Sequence, residues 1–245
     1  MASQFSIKLR RIYVFIFLLA LALCAIAFSH LAAQNAARTM TGEKTVSDRL
    51  AEFGNVVHAR LEPRFRQIGV AYPPRKLVLV GLKQERQLEI WVSDGSHDLR
   101  YLKSYPILAA SGTSGPKLKE GDRQVPEGLY KVESLNPNSR FHLALRVNYP
   151  NDFDKEHAHS DGRTSLGGDI MIHGGAASIG CMAMGDPAAE DLFVLAAETG
   201  IKNISIILTP VDFRVRDLPS NSPPSPSWTR ELYGEIKTAF VPLKR

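Results

Sequence analysis

Cysteine is scarce in this sequence of 245 residues, which contains only Cys24 and Cys181. Cys24 lies in an apolar N-terminal segment that we expect to be removed or embedded in a membrane. The exported part would then carry Cys181 as its one thiol, which excludes an intramolecular disulfide. An odd cysteine in an exported protein indicates intermolecular pairing or a free reactive thiol. His173, eight positions upstream in a glycine-rich stretch, favours the reactive thiol.

Motifs for cofactors and metals are also missing. The sequence has no Gly-x-Gly-x-x-Gly or Walker pattern, and it has no His/Cys cluster at metal spacing. His157 and His159 form a His-x-His pair that could hold a metal, but such a pair in an acidic loop (Asp152 to Gly162) is more often solvated. We therefore predict no cofactor and no metal.

Positive charge is concentrated near the start of the chain. The sequence has 30 Lys and Arg against 25 Asp and Glu, a net charge of +5. The first 27 residues hold three basic and no acidic side chains, which leaves 27 − 25 = +2 for the remainder. Because no basic stripe with interleaved aromatic residues is present, we predict no nucleic-acid partner.

One long uncharged run is present, from Ile12 to Phe28, and it follows the basic residues Lys8, Arg10 and Arg11. This pattern is typical of a secretory signal or an N-terminal membrane anchor, which we place at residues 1–28. A small-x-small site at 25–27 allows cleavage, whereas the length of the run is near the lower limit for a membrane span. Cleavage and anchoring both stay open, and membrane contact is predicted only through this segment.

A linker and helical lead-in are predicted at residues 29–74. Apolar residues recur every three or four positions across 45–69, which indicates an amphipathic helix, and Pro63 is predicted to start a second short helix. Residues 211–245 are predicted to be a Pro/Ser-rich linker and a C-terminal helix, Trp228 to Phe240. Another helix is predicted from an N-cap at Asp186 to Gly200.

Between these helices the apolar pattern is that of short strands, which predicts a mainly β fold with a few peripheral helices. The predicted strands are Lys76–Leu82, Gln87–Val92, Tyr105–Ala110, Gly128–Glu133, Phe141–Val147, Asp169–Ile172 and Ile204–Leu208.

Cysteine catalysis needs a thiolate, a base that generates it and donors for an oxyanion. His173 at the end of a strand and Cys181 after a short glycine-rich loop could form a thiolate–imidazolium pair. The backbone amides of Gly180, Cys181 and Met182 are candidate oxyanion donors. On these residues alone, a buried structural cysteine beside a core histidine is an equally open interpretation.

The residues around this pair resemble a known family. Ile-His-Gly, followed by Ser178-Ile-Gly-Cys181-Met-Ala-Met, resembles the catalytic motif of the L,D-transpeptidase (YkuD) family, and more closely that of its YafK-like subgroup. Further matching stretches lie at 80–91, 114–122, 126–130 and 148–154, so the resemblance covers roughly residues 75–210, the predicted catalytic domain.

The resemblance implies a β-rich YkuD-like fold and a peptidoglycan-modifying enzyme in the periplasm, either released there or anchored in the inner membrane. It implies a thioacyl mechanism on stem peptides at meso-diaminopimelate, with Cys181 as nucleophile and His173 as general base. The second ring nitrogen of His173 would be held by the carbonyl of Gly174, so no carboxylate partner is needed.

Two positions depart from the usual family motif. Ile179 stands where a histidine is usual, and Ala183 replaces an arginine two residues after the cysteine. Transpeptidase, L,D-carboxypeptidase and L,D-amidase activities therefore all stay open, the last releasing an envelope protein from peptidoglycan. An inactive murein-binding module is the alternative from a different class.

Other polar residues are candidates for substrate contacts. Lys119 and Arg123, together with Lys117, lie in a long polar hairpin loop and could meet substrate carboxylates, although ordinary loop solvation explains them equally well. Tyr149 could line the cleft, and Ser178 could hydrogen-bond around the cysteine loop.

Overall fold

A computed structural model describes residues 19–29, 42–95, 98–218 and 223–244. The chain divides into two compact units, Met1–Lys44 and Thr45–Arg245. In the first unit, residues 19–29 are helical, and the rest of the predicted signal or anchor lies outside the described residues. Among the described residues, no helix combines the length and apolar character that crossing a bilayer requires.

The second unit is built on one nine-stranded sheet within the described residues, in the order β3-β2-β1-β9-β5-β6-β7-β8-β4. This sheet, with helices packed around it, confirms the predicted β-rich fold. The strands are β1 Lys76–Leu82, β2 Gln87–Ser93, β3 Arg100–Pro106, β4 Ala109–Ala110, β5 Gly128–Ser139, β6 His142–Val147, β7 Met171–His173, β8 Met182–Ala183 and β9 Ile204–Thr209.

The single strand predicted at Tyr105–Ala110 is wrong, because the chain breaks there into β3 and β4. Pro106 has no backbone N–H and cannot continue a ladder on both sides. β3 pairs with β2, whereas β4 pairs with β8 at the opposite end of the sheet. The break therefore carries the chain to the edge where the cysteine lies.

Four helices of this unit are described: α1 Val46–Ile68, α2 Asp152–Ser160, α3 Asp186–Thr199 and α4 Thr229–Phe240. The prediction that Pro63 starts a second helix is wrong, since Pro63 lies inside α1. The apolar face continues across it, with Val57, Leu61 and Phe65 all buried in the core. Packing of this face offsets the backbone hydrogen bond that proline removes.

The acidic loop predicted at Asp152 to Gly162 is also wrong, because α2 occupies most of it. Asn151 and Asp154 form a reciprocal capping box, in which each side chain accepts a hydrogen bond from the backbone N–H of the other. This pair satisfies two of the free donors at the helix start, so a short helix of low apolar content is stable there.

The long strand β5 joins the two halves of the sheet. Its first part pairs with β9 and its second part pairs with β6. From β6 the sheet continues through β7, β8 and β4, so His173 on β7 and Cys181, immediately before β8, both lie towards this end of the sheet. The buried residues Leu143, Ile172 and Met182 form the core beneath this end.

Candidate active site

His173 lies on β7, and Cys181 lies immediately before β8, the neighbouring parallel strand. β7 and β8 pair in the register Ile172↔Met182 and His173↔Ala183, and Cys181 directly precedes β8. The hydrogen bond between the Met171 backbone and the cysteine sulfur extends this alignment by one residue. Cys181 therefore lies next to β7, two residues of register away from His173.

The imidazole of His173 is held in one tautomer. Its Nδ1 lies 2.6 Å from the carbonyl oxygen of Gly174, and because a carbonyl only accepts, Nδ1 must carry the proton. Nε2 then keeps a lone pair and can act as a base. The ring is buried and stacks on Phe141 with centroids 4.6 Å apart. Burial lowers the pKa of His173, and the Gly174 hydrogen bond opposes this only in part.

The position of Gly174 requires a residue without a side chain. A Cβ there would lie 2.6 Å from Asp186 Oδ1 and 2.7 Å from the Phe141 carbonyl oxygen, both shorter than any normal contact. Asp186 also accepts a 2.8 Å hydrogen bond from the Gly175 amide. The prediction of Asp186 as N-cap is wrong, since Gly185 caps α3 and the Asp186 carboxylate holds the loop after His173 instead.

The thiol of Cys181 is half-buried and donates to the carbonyl oxygen of Asp169 at 3.5 Å. Burial raises the pKa of Cys181, and the nearby charge of Asp169 adds to the rise. The Met171 backbone hydrogen bond and the charge of Lys117 lower it. Burial thus disfavours the charged form of both the thiol and the imidazole, so the pKa directions favour a neutral pair over the expected thiolate–imidazolium pair.

Serine hydroxyls occupy two of the candidate oxyanion donors. The Cys181 amide donates to Ser178 Oγ at 3.0 Å, and Ser178 Oγ donates to the Cys181 carbonyl at 2.5 Å. The Gly180 amide donates to Ser111 Oγ at 2.7 Å. Gly180 itself has a φ of +86°, which a residue without Cβ adopts readily. An oxyanion would have to replace a hydroxyl at either amide.

Sequence reasoning missed Ser111, whose hydroxyl hydrogen-bonds both to the loop that contains Arg123 and to the cysteine loop. Its hydroxyl donates to the Arg123 carbonyl at 2.6 Å and accepts from Gly180, 69 residues away. No local motif marks this serine. It reaches the cysteine loop only because it directly follows β4, which pairs with β8.

Of the predicted substrate-contacting residues, Tyr149 is buried. Its hydroxyl lies 3.3 Å from the carbonyl oxygens of Lys117 and Leu166. Lys117 is also buried and forms a 2.5 Å ion pair with Asp122, so its charge is used inside the loop.

The side chains of Lys119 and Arg123 are exposed. The backbone carbonyl of Lys119 accepts from the Lys117 ammonium, and that of Arg123 accepts from Ser111. Their contribution to substrate binding stays a prediction.

His157 and His159, the predicted His-x-His pair, both lie on α2. His157 stacks on Trp228 with centroids 4.7 Å apart. In the described part of the chain, no group of three or more His, Cys, Asp or Glu residues is placed to hold a metal ion.

Comparison with known proteins adds a family match. The model of the YkuD L,D-transpeptidase catalytic domain matches residues 75–208. The protein named "Putative L,D-transpeptidase YafK" from Escherichia coli K12 is 35% identical over 167 residues, which cover 66% of this chain and 61% of YafK. The protein of the same name from E. coli O157:H7 matches to the same extent. This chain thus spans about 61% of the length of the curated relatives that it matches.

A solved structure is also similar. The helical cell shape determining protein Pgp2 from Campylobacter jejuni is 21% identical, with a TM-score of 0.46 over 56% of this chain and 48% of Pgp2. That TM-score is too low to support any inference about this chain.

Proposed function

The chain belongs to the YkuD family of L,D-transpeptidase catalytic domains, and on this premise we propose that it modifies peptidoglycan stem peptides by acyl transfer through Cys181. The observation that supports the proposal is the pairing of β7 with β8, which sets the half-buried thiol of Cys181 two residues of register from His173, whose Nδ1 carries the ring proton and leaves a lone pair on Nε2.

Acylation starts with a proton transfer. The Cys181 thiol leaves the Asp169 carbonyl and gives its proton to His173 Nε2, while Nδ1 stays bound to Gly174. The sulfur forms a bond to the carbonyl carbon of the peptide, which is the L-centre carbonyl of meso-diaminopimelate. His173 then gives the proton to the leaving nitrogen as the C–N bond breaks, and a thioester remains.

The negative charge that develops on the peptide oxygen needs backbone donors. The Gly180 and Cys181 amides serve this purpose if the oxyanion replaces the hydroxyls of Ser111 and Ser178. A charged oxyanion is a stronger acceptor than a neutral hydroxyl, so the exchange favours the transition state over the resting site.

The acceptor that resolves the thioester decides the reaction. An amine gives transpeptidation, whereas water gives carboxypeptidase or amidase activity. Ile179 is 75% exposed and apolar, and Ala183 is buried in β8, so neither position offers a polar group to hold a peptide acceptor. This favours a hydrolase as the second candidate, which would trim stem peptides or release an envelope protein attached to them. An inactive murein-binding module is the third and weakest candidate.

We place this activity in the periplasm. The basic residues and the apolar run at residues 1–28 support export, with the segment either cleaved or kept as an anchor in the inner membrane.

Mass spectrometry of defined muropeptides incubated with the purified protein tests the proposal. Conversion of tetrapeptide to tripeptide would identify a carboxypeptidase, and a 3–3 linked dimer or D-amino-acid exchange would identify a transpeptidase. Loss of a peptide adduct from the diaminopimelate carbonyl would identify an amidase. A Cys181→Ala variant that still processes these substrates would refute the assignment of the nucleophile.

A thiol-reactive probe separates an enzyme from a binding module. A catalytic Cys181 should label faster in the wild-type protein than in a His173→Ala variant, because the imidazole can remove the thiol proton as the sulfur reacts. Equal labelling rates in the two proteins would favour the binding module.

A further inference from the structure

The turn between β5 and β6 lies beside the candidate site. It consists of Arg140 and Phe141, and we call residues 136–142 around it the hairpin tip. β6 pairs with β7, and the Leu143 carbonyl accepts a 3.1 Å hydrogen bond from the Gly174 amide. Strand pairing therefore fixes the hairpin tip next to the loop that follows β7.

Phe141 covers one face of the His173 imidazole. The two rings are stacked, with centroids 4.6 Å apart and an interplanar angle of 29°. His173 is 2% exposed, whereas Phe141 is 44% exposed. One face of the phenyl ring thus contacts the imidazole while the rest of the ring meets solvent. Its removal would open that face of the imidazole to water.

The stack also restricts how the imidazole can turn. His173 Nδ1 donates to the Gly174 carbonyl at 2.6 Å, and rotation about the Cβ–Cγ bond would break this hydrogen bond. The stacked phenyl ring opposes that rotation, because the edge of the imidazole would have to sweep through it. Phe141 therefore stabilises the orientation in which Nε2 keeps its lone pair.

His142 anchors the hairpin tip on two helices. Its φ of +70° is left-handed, a region in which histidine is more common than most residues but glycine is the usual choice. Its ring packs edge-on against Phe53 of α1, with centroids 5.2 Å apart. Its Nε2 lies 3.2 Å from Glu190 Oε1 of α3. A glycine would make neither contact, so these contacts, rather than the demands of the turn, account for a histidine here.

α1 supports the hairpin tip at two further points. Arg49 Nε donates to the Pro137 carbonyl at 2.9 Å, in a part-buried hydrogen bond between α1 and β5. Arg60 Nη2 forms a 3.0 Å ion pair with Glu190, the residue of α3 that contacts His142. The helix therefore holds the hairpin tip both directly and through α3.

This supporting helix lies outside the domain that the family model matches. α1 spans Val46–Ile68, whereas the match covers residues 75–208. The buried face of α1 nevertheless shares one hydrophobic core with the strands of the site, a core that includes Leu61, Ile172 and Met182. α1 is thus a fixed support for the hairpin tip.

We propose that Phe141 is a positioning residue for His173, and that α1 keeps it in place through His142. Phe53 contacts His142 across the interface with α1, and His142 directly follows Phe141 in the chain. Phe141 then stacks on His173. The inference rests on the proposed function, in which His173 is the base, and it gives a helix outside the matched domain a role in the reaction.

NMR of the His173 ring nitrogens tests the proposal without turnover. In the wild-type protein we expect the Nδ1–H tautomer and a pKa below 6.5, because burial is the larger influence on the ring. Phe141→Ala should raise this pKa towards 6.5 and populate the second tautomer, since water then reaches the imidazole. Phe141→Tyr should keep both wild-type values, because it retains the aromatic face.

A shift in the His173 pKa would report on the covering ring, because the Phe141 variants change no charge. The ionisable groups on the surrounding elements stay the same in these variants; they are Arg140, His142, Asp169, Cys181, Asp186 and Glu190. The matched control is Phe153→Ala, which removes a phenylalanine ring 4.3 Å from His157 on α2. It should leave the His173 titration unchanged, and an equal shift there would overturn a specific role for Phe141.

Turnover gives a second readout. Phe141→Ala should lower kcat for muropeptide conversion by roughly 10- to 100-fold with little change in KM, because the base is misplaced. Phe141→Tyr should restore most of this loss. A rise in KM at unchanged kcat would instead assign Phe141 to substrate binding and overturn the positioning role.

Two substitutions test the anchor. Phe53→Ala and His142→Asn should each shift the His173 pKa in the same direction as Phe141→Ala, but by less. Asparagine tolerates the left-handed φ, so His142→Asn removes the ring contacts without straining the turn. In a Phe141→Ala background neither substitution should add a further shift, since both act through Phe141. Additive shifts would overturn the path through the hairpin tip.

The positioning role and the proposed reaction fail separately. An unchanged His173 pKa and tautomer in Phe141→Ala would overturn the positioning role even if the enzyme is active. The expected NMR changes in a protein that converts no muropeptide would support the positioning of His173 by Phe141 and overturn the reaction.

Discussion

Gly174→Ala should lower both the stability of the protein and its activity, because the backbone of Gly174 packs directly against two oxygen atoms. The added Cβ would lie 2.6 Å from Asp186 Oδ1 and 2.7 Å from the Phe141 carbonyl oxygen, where ordinary contact begins at 3.4 Å. The two oxygens would have to move by about 3.4 − 2.6 = 0.8 Å and 3.4 − 2.7 = 0.7 Å. Overpacking of this kind costs about 1–3 kcal/mol of unfolding free energy.

The same displacement would also shift the groups that hold His173, the proposed base. The Gly174 carbonyl holds His173 Nδ1 at 2.6 Å, and the Phe141 ring stacks on the imidazole, so both supports move with the new methyl group. A misplacement near 1 Å can lower a catalytic rate by roughly 100-fold. We expect a loss of this order in muropeptide conversion, measured at about 25 °C where the variant is still folded.

Gly234→Ala is the matched control. Gly234 lies inside α4, and an added methyl group there would meet nothing within 4 Å among the described residues beyond the backbone of its own helix. Alanine should therefore stabilise the helix by about 1 kcal/mol and leave activity unchanged. Urea unfolding and activity are measured on both variants. A Gly174→Ala protein with wild-type unfolding free energy and wild-type turnover would refute this reasoning.

Further predictions concern hydrogen bonds, pH and buried charge. Ser111→Ala removes the acceptor of the Gly180 amide and should lower the unfolding free energy by about 1 kcal/mol in urea, whereas Ser111→Thr should not. Because burial lowers the pKa of His173 below 6.5, the acidic limb of the kcat/KM profile should fall below pH 6.5, and a limb above that value would contradict the neutral base. Lys83→Met leaves the Glu127 carboxylate buried without its cation and should cost about 3–5 kcal/mol in urea, with partial recovery on adding Glu127→Gln; an unchanged midpoint would contradict this.

Local patterns in the sequence predicted most strands and the general fold. The hairpin of β1 and β2 follows from a buried apolar run and an alternating run separated by a short polar turn. The errors occurred where tertiary contacts outweigh a local signal. Pro63 lies inside α1 because the buried face of that helix continues past it, and α2 forms because a capping box stabilises a polar segment.

In the candidate site, too, local motifs predict some contacts and not others. The pairing of His173 with Gly174 could be expected from a short motif, since the two residues are adjacent in the chain. Ser111 and Asp169 could not, because their contacts with the cysteine loop arise from strand pairing and from a left-handed backbone residue. Contacts between distant segments depend on the register of the sheet, which no local pattern in this sequence specifies.

In the proposed reaction, the choice of acceptor can vary independently of the nucleophile. His173 and Cys181 are fixed by β7 and β8, which belong to the buried sheet, whereas Ile179 lies 75% exposed in the loop between them. We therefore expect a substitution at Ile179 to change which acceptor approaches the proposed thioester without moving β7 or β8. Ala183 differs, because its side chain in β8 is fully buried and a larger one there would overpack the core. The loop position, rather than the strand position, is where acceptor choice can vary while acylation is preserved.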